Sequence, residues 1–221
     1  MRQRPLKSPR SSSWNGALPE VAEASALVIA CGALAKEIVE LKRLNGWSHL
    51  EIQCLPAKLH NRPEKIPGAV RAELEKRRTE FEHIFVAYAD CGTGGELDKV
   101  LAEFRVERLP GAHCYDFYAG VSELAVLSDE EPGTFYLTDF LTRHFDRLVR
   151  KGLGLDKHPE LMATYFGNYK RLVYLSQSES KELHEMARQH AEYLGLDYVH
   201  HHTGLANIDR DFGQQVVKWQ N

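Results

Sequence analysis

Four cysteines and two histidines are the residues of this chain best suited to soft-metal or thiol chemistry. Cys31, Cys54, Cys91 and Cys114 are spaced 23, 37 and 23 residues apart. His60 follows Cys54 in "CLPAKLHNRPEK", and His113 adjoins Cys114. Thiolates hold zinc or an iron–sulfur cluster, and an imidazole can replace one of them. No C-x-x-C occurs, so a fold must gather any such ligand set from distant segments. Two other uses stand beside this one. Free cysteine is among the most buried residue types, and Cys31 within "VIACGAL" fits plain core. Cys91 also suits a nucleophile, with its thiolate favoured by a following helix N-terminus and His60 or His113 as base.

The surroundings of Cys91 add candidates. In "YADCGTGG" the turn Gly92, Thr93, Gly94, Gly95 precedes a helix. Its N–H groups can cradle a phosphate, or its missing side chains can admit a bulky cofactor; an ordinary strand–helix turn is the alternative. Asp90 is placed to support a ligating histidine or to cap the helix. Arg62 and Lys65 are suited to a carboxylate or phosphate, or form a solvated loop. In "HCYDFYAG", Tyr115, Phe117 and Tyr118 can wall a pocket or fill a core. His200, His201 and His202 follow a strand, and at most two of them can face one way.

The elements that must position these residues follow from hydrophobic period. Ser25–Ala30, His49–Gln53, His83–Ala89, Arg105–Leu109, Arg171–Ser176 and Leu196–His200 read as strands. Helices are expected over 35–44, from Pro67 to about Arg78, after Gly95, over Phe140–Val149, over Lys181–Leu194 and from Asn207 to Trp219. Alternating strands and helices predict an α/β fold, Rossmann-like and doubly wound around a mostly parallel sheet, with a helical insertion around 122–167. All four cysteines then fall at or beyond carboxyl ends of strands. In a parallel sheet those ends share one edge, where ligands bind.

Composition sets the outer limits. At 43% hydrophobic and 27% charged the chain is globular, and its net charge of -3 gives no case for nucleic acid. No apolar run is long enough to span a membrane. Residues 1–22, with Arg2, Arg4, Lys7, Arg10 and a serine triplet, are expected to form a disordered basic arm, and 23–221 a single α/β domain. Clustered thiols behind no secretory signal point to a reducing, cytoplasmic setting.

The segments "IACGALAKEI", "CLPAKLHNRPEKIP", "YADCGTGGELD", "LPGAHCYDFYAG", "EEPGTFYLTDFL" and "GLGLDKHPEL" resemble a family of uncharacterised proteins. Its members are found beside corrinoid-dependent methylamine and methanol methyltransferase systems in methanogens and some bacteria. The resemblance implies a setting in one-carbon or methyl-group metabolism and assigns no catalytic residues. Three functions are therefore expected in order. The first is a cytoplasmic metalloprotein holding zinc or an iron–sulfur cluster through Cys54, Cys91 and Cys114, with His60 or Cys31. The second is an accessory module binding a corrinoid, a pterin or a partner methyltransferase, with no D-x-H-x-x-G pattern for direct cobalt ligation. The third is a thiol enzyme with Cys91 as nucleophile.

Overall fold

The computed structural model describes residues 25–219; the arm expected over 1–22 lies outside them. Strand β1 (Ala26–Cys31), "ALVIAC", is buried at every position. Such a run belongs at the centre of a parallel sheet covered on both faces. It sits there, in the order β2 (Leu50–Leu55), β1, β3 (His83–Ala87), β4 (Glu107–Arg108), all parallel. The connections run through α1 (Ala35–Leu44), α2 (Ile66–Arg77) and α3 (Glu96–Phe104). Ile38 and Leu41 form the buried stripe of α1, as their spacing predicts. Pro67 occupies the first turn of α2, where its missing N–H costs no hydrogen bond.

A second parallel sheet holds β5 (Thr134–Thr138), β6 (Arg171–Ser176) and β7 (Asp197–His202) in that order. Short helices α4 (Tyr115–Ala119) and α5 (Val121–Glu130) lead into it; α6 (Asp139–Arg143), α7 (Leu161–Phe166) and α8 (Lys181–Leu194) follow β5 and β6. The long helix α8 is closed at both ends. The Ser180 hydroxyl accepts the Leu183 N–H at 3.3 Å, and Gly195, at φ +70°, turns the chain out.

The α/β class and its parallel strands are those expected. Two features were not legible. The strands divide into two sheets, and the segment 122–167 contributes strand β5 as well as helices and a π-helical turn at Asp146–Arg150. "TFYLT" runs without a break into the periodic apolar stretch that begins at Phe140. The helical period of that stretch masks the five-residue strand before it.

The two sheets are not independent. Along β6, Val173 and Leu175 enter the core of the first sheet, while Leu172 and Tyr174 enter a second core, as the two-residue period of a strand requires. Helix α9 (Ala206–Lys218) returns to the first core through Ile208, Phe212 and Val216. Phe212 meets Trp47 edge-on at 5.6 Å. No helix among the described residues is long and apolar enough to cross a membrane.

Candidate metal centre

The carboxyl ends of β1, β3 and β5 meet at one pocket of about 260 Å³. Cys31 is the last residue of β1 and is fully buried. Its sulfur accepts the Ala33 N–H at 3.3 Å and stands 3.6 Å from His60 Nδ1. His60 rides on a 3₁₀ turn (Ala57–Asn61), stacked on Tyr88 with ring centres 6.0 Å apart. Its Nδ1 also lies 3.2 Å from the Ala57 carbonyl oxygen. A carbonyl only accepts, so that contact keeps a proton on Nδ1 and makes Nε2 the nitrogen that would give up its proton to a metal.

Cys91 follows β3 at φ +52°, in the left-handed region. A non-glycine residue there costs roughly 1–2 kcal/mol, and such strain gathers at functional sites. The loop holds it in place. Asp90 N–H donates to the Gly111 carbonyl at 3.2 Å and Cys91 N–H to the Ala112 carbonyl at 2.8 Å. These bonds draw in the segment before Cys114, so the two sulfurs lie 2.9 Å apart although 23 residues separate them. One ligand atom each from His60, Cys91 and Cys114 falls within 4.8 Å of the other two.

The charges in this group are redistributed. The Cys114 thiol donates to Cys91 and, with help from His60 and against burial, pushes the Cys91 pKa down to about 5. Cys114 moves the other way, first through that same bond and then through burial. Burial alone would lower His60. Its contacts with Cys31 and Cys91 outweigh that and raise it to about 11. Without a metal the pair is therefore a thiolate at Cys91 beside an imidazolium at His60. The Tyr88 hydroxyl is buried against this cluster with no hydrogen-bond partner among the described residues. Burial, then its closeness to Cys31, pushes the phenol's pKa well up.

Cys54 stays outside the group. In the β1–β2 register it pairs with Ala30, while Cys31 pairs with Leu55. Neighbours one position apart face opposite sides of a sheet, so Cys54 points away and is exposed. The glycine turn is also committed. The Asp90 carboxylate accepts the N–H of Gly94 at 3.1 Å, that of Gly95 at 2.9 Å and the Thr93 hydroxyl at 2.7 Å. Those donors hold its pKa down to about 2. Gly92, Gly94 and Gly95 all take positive φ, which explains the glycines. Thr93 is buried behind them.

The pocket itself is apolar. Tyr115, Tyr118, Phe140 and Leu148 line it, with His113 beside the cysteines. Tyr115 donates to the Tyr136 carbonyl at 3.3 Å and Tyr118 to that of Ala33 at 3.3 Å, so both rings wall the pocket with their polar ends tied off. Phe140 and Leu148 come from the stretch expected as a helical insertion. Asn61 binds that stretch to the His60 turn by donating to the Leu148 carbonyl at 2.9 Å. Nothing in the sequence period marks Asn61 or Leu148 as parts of a site. Arg62 stands outside the pocket, on an adjoining cleft. His200 and His202 are not at this centre. They share the Ser176 hydroxyl, each at 2.9 Å, at the end of the second sheet.

Fold and site together define a parallel α/β protein with a cluster of one histidine and two cysteines where its strands end. The chain belongs to the family described as protein of unknown function (DUF1638), whose profile matches residues 54–210. That span includes His60, Cys91 and Cys114; Cys31 precedes it. No curated protein and no solved structure matches the chain.

Proposed function

We propose that this is a metal-binding protein in which His60, Cys91 and Cys114 hold one soft metal ion. The observation that carries the reading is the approach of three ligand atoms from three separate segments to within 4.8 Å of one another. Two thiolates on one tetrahedral zinc, each about 2.3 Å from it, stand ~3.8 Å apart. The Cys91 and Cys114 sulfurs, 2.9 Å apart, would open by about 1 Å to reach that geometry, which suits a single ion better than the wider spread of thiolates around an iron–sulfur cluster. Three protein ligands beside an apolar pocket match a centre that keeps one position for a ligand, rather than a closed structural site.

Zinc so placed lowers the pKa of a bound thiol and presents it as a thiolate. With the resemblance described above, this supports a cytoplasmic role in corrinoid-linked one-carbon or methyl-transfer metabolism. The small molecule would occupy the pocket. At about 260 Å³ that pocket falls below the ~300–1,000 Å³ typical of drug-sized ligands. A corrinoid would therefore be met as the cofactor of a partner methyltransferase component and not enclosed here. One observation favours a second reading, a thiol enzyme: the Cys91 thiolate is paired with the His60 imidazolium.

The test is metal and sulfide content after anaerobic purification. Wild type should carry near-stoichiometric zinc. Cys91→Ser, Cys114→Ser and His60→Gln should each lose it, and Cys54→Ser should keep it. Acid-labile sulfide with iron would replace zinc by a cluster. A metal-free protein in which Cys91 alone reacts rapidly with iodoacetamide would turn the assignment to the thiol enzyme.

A further inference from the structure

Beside the pocket lies an open cleft of about 670 Å³. Its charged lining residues are all cations: Lys58, Arg62 and Lys65 from the turns after β2, and Arg147 from the π-helical turn, more than eighty positions away in sequence. No carboxylate among the described residues lines it. Most arginines among the described residues are paired with a carboxylate, including Arg43, Arg71, Arg77, Arg108 and Arg171. None of the four cleft cations has a carboxylate oxygen within 4.0 Å among the described residues, although Glu64 shares their turn and Asp146 adjoins Arg147. Asp146 is turned instead to Arg150 and Lys151. In a chain of net charge -3, four unpaired cations around one concavity repel one another unless an anion joins them.

Two further features place a ligand there. The floor of the cleft includes Gly32, in the β1–α1 turn. With Pro56 and the turn after β2 it lies at the carboxyl ends of β1 and β2, the edge of a parallel sheet at which ligands bind. The cleft also shares Ala57, Asn61, Phe140 and Leu148 with the apolar pocket. Pocket and cleft therefore adjoin across these residues.

We infer that the cleft binds the anionic end of a small organic ligand bearing at least two negative charges, as phosphate or carboxylate groups. Its apolar end enters the pocket beside Cys91. The guanidinium groups of Arg62 and Arg147 supply the directional bonds, and Lys58 and Lys65 supply point charge. The cleft stands on its own residues and does not rest on the metal centre.

The test is calorimetric titration of the full chain with inorganic pyrophosphate and, separately, with tricarballylate. Saturable binding of either at concentrations up to about 10 mM is expected, and the tighter of the two identifies phosphate or carboxylate. Arg62→Gln and Arg147→Gln should each weaken it ~10-fold or more, the worth of one charge-assisted hydrogen bond. Both variants change exposed side chains, so melting temperature should not move. Lys181→Gln, outside the cleft, should bind as wild type. Cys91→Ser separates the two readings: binding that survives there and fails in the arginine variants supports the cleft whether or not the protein holds a metal. No binding, binding indifferent to both arginines, or binding lost only in Cys91→Ser would overturn the inference.

Discussion

Asp90→Asn tests how the Cys91 loop is held. The carboxylate takes three donors: the Thr93 hydroxyl and Gly95 N–H on Oδ1, and the Gly94 N–H on Oδ2. An amide keeps one oxygen and presents an N–H₂ group to the third donor. The change therefore removes a charge-assisted bond and sets donor against donor, a loss of about 1.5–3 kcal/mol. The pKa gives a second route. A fall from 3.8 to about 2 corresponds to about 2.4 kcal/mol at 1.36 kcal/mol per pH unit. The carboxylate is partly open to water, so that figure is an upper bound, and about 1–2 kcal/mol is expected. The sign is that of a depressed acid. The stabilisation is present above pH 3.8 and is lost as pH falls toward 2, about half of it by pH 3. Urea unfolding of wild type and Asp90→Asn at pH 7 and at pH 3 measures the difference. It should be about 1–2 kcal/mol at pH 7 and shrink clearly at pH 3. Equal stability at pH 7, or a difference that does not change with pH, would refute the claim that Asp90 in its charged form holds this loop.

Three other outcomes follow from named contacts. In chelator-treated protein the rate of Cys91 alkylation should rise through about pH 5 and level off above it, and His60→Gln should move that midpoint upward, as stopped-time alkylation with peptide mapping would show. Glu37 is buried with an unpartnered oxygen, and burial raises its pKa. A raised acid binds more protons folded than unfolded, so it destabilises as pH rises past 4.5; Glu37→Gln should raise the melting temperature at pH 7, by relief of about 1–3 kcal/mol, and flatten its pH dependence. At Gly152 an added Cβ would collide with the Leu148 carbonyl and sit 2.6 Å from Asn61 Nδ2. Gly152→Ala should therefore part the His60 turn from the π-helical turn, at a cost of roughly 1–3 kcal/mol in chemical denaturation, and weaken any ligand that spans pocket and cleft.

Much of the fold was legible because its signals are local. "ALVIAC" and "RLVYLS" are apolar runs of strand length, and the stripe of α8 has the period of a helix. The site was legible only as a pool of candidates. Sequence places Cys31, Cys54, Cys91 and Cys114 near strand ends, yet it does not show which way a terminal side chain faces. Register decides that: a shift of one residue in the β1–β2 pairing would set Cys54 opposite Cys31 on the same face. The partner of Cys91 is set by two backbone bonds to Gly111 and Ala112, which no spacing rule encodes.

The charged residues show the same division more sharply. Asp90 and the glycines after it were open to several uses because a glycine turn that offers N–H groups to a ligand and one whose N–H groups are already taken have the same sequence. Only the side-chain geometry shows that Asp90 fills the place an external anion would occupy. Arg62 was a candidate on residue type alone. Its setting depends on Arg147, which reaches the same cleft because a π-helical turn shifts the phase of the chain between Asp146 and Arg150. Anion binding at this edge rests on four cations that no carboxylate among the described residues neutralises, and not on the glycine turn, whose N–H groups Asp90 already takes.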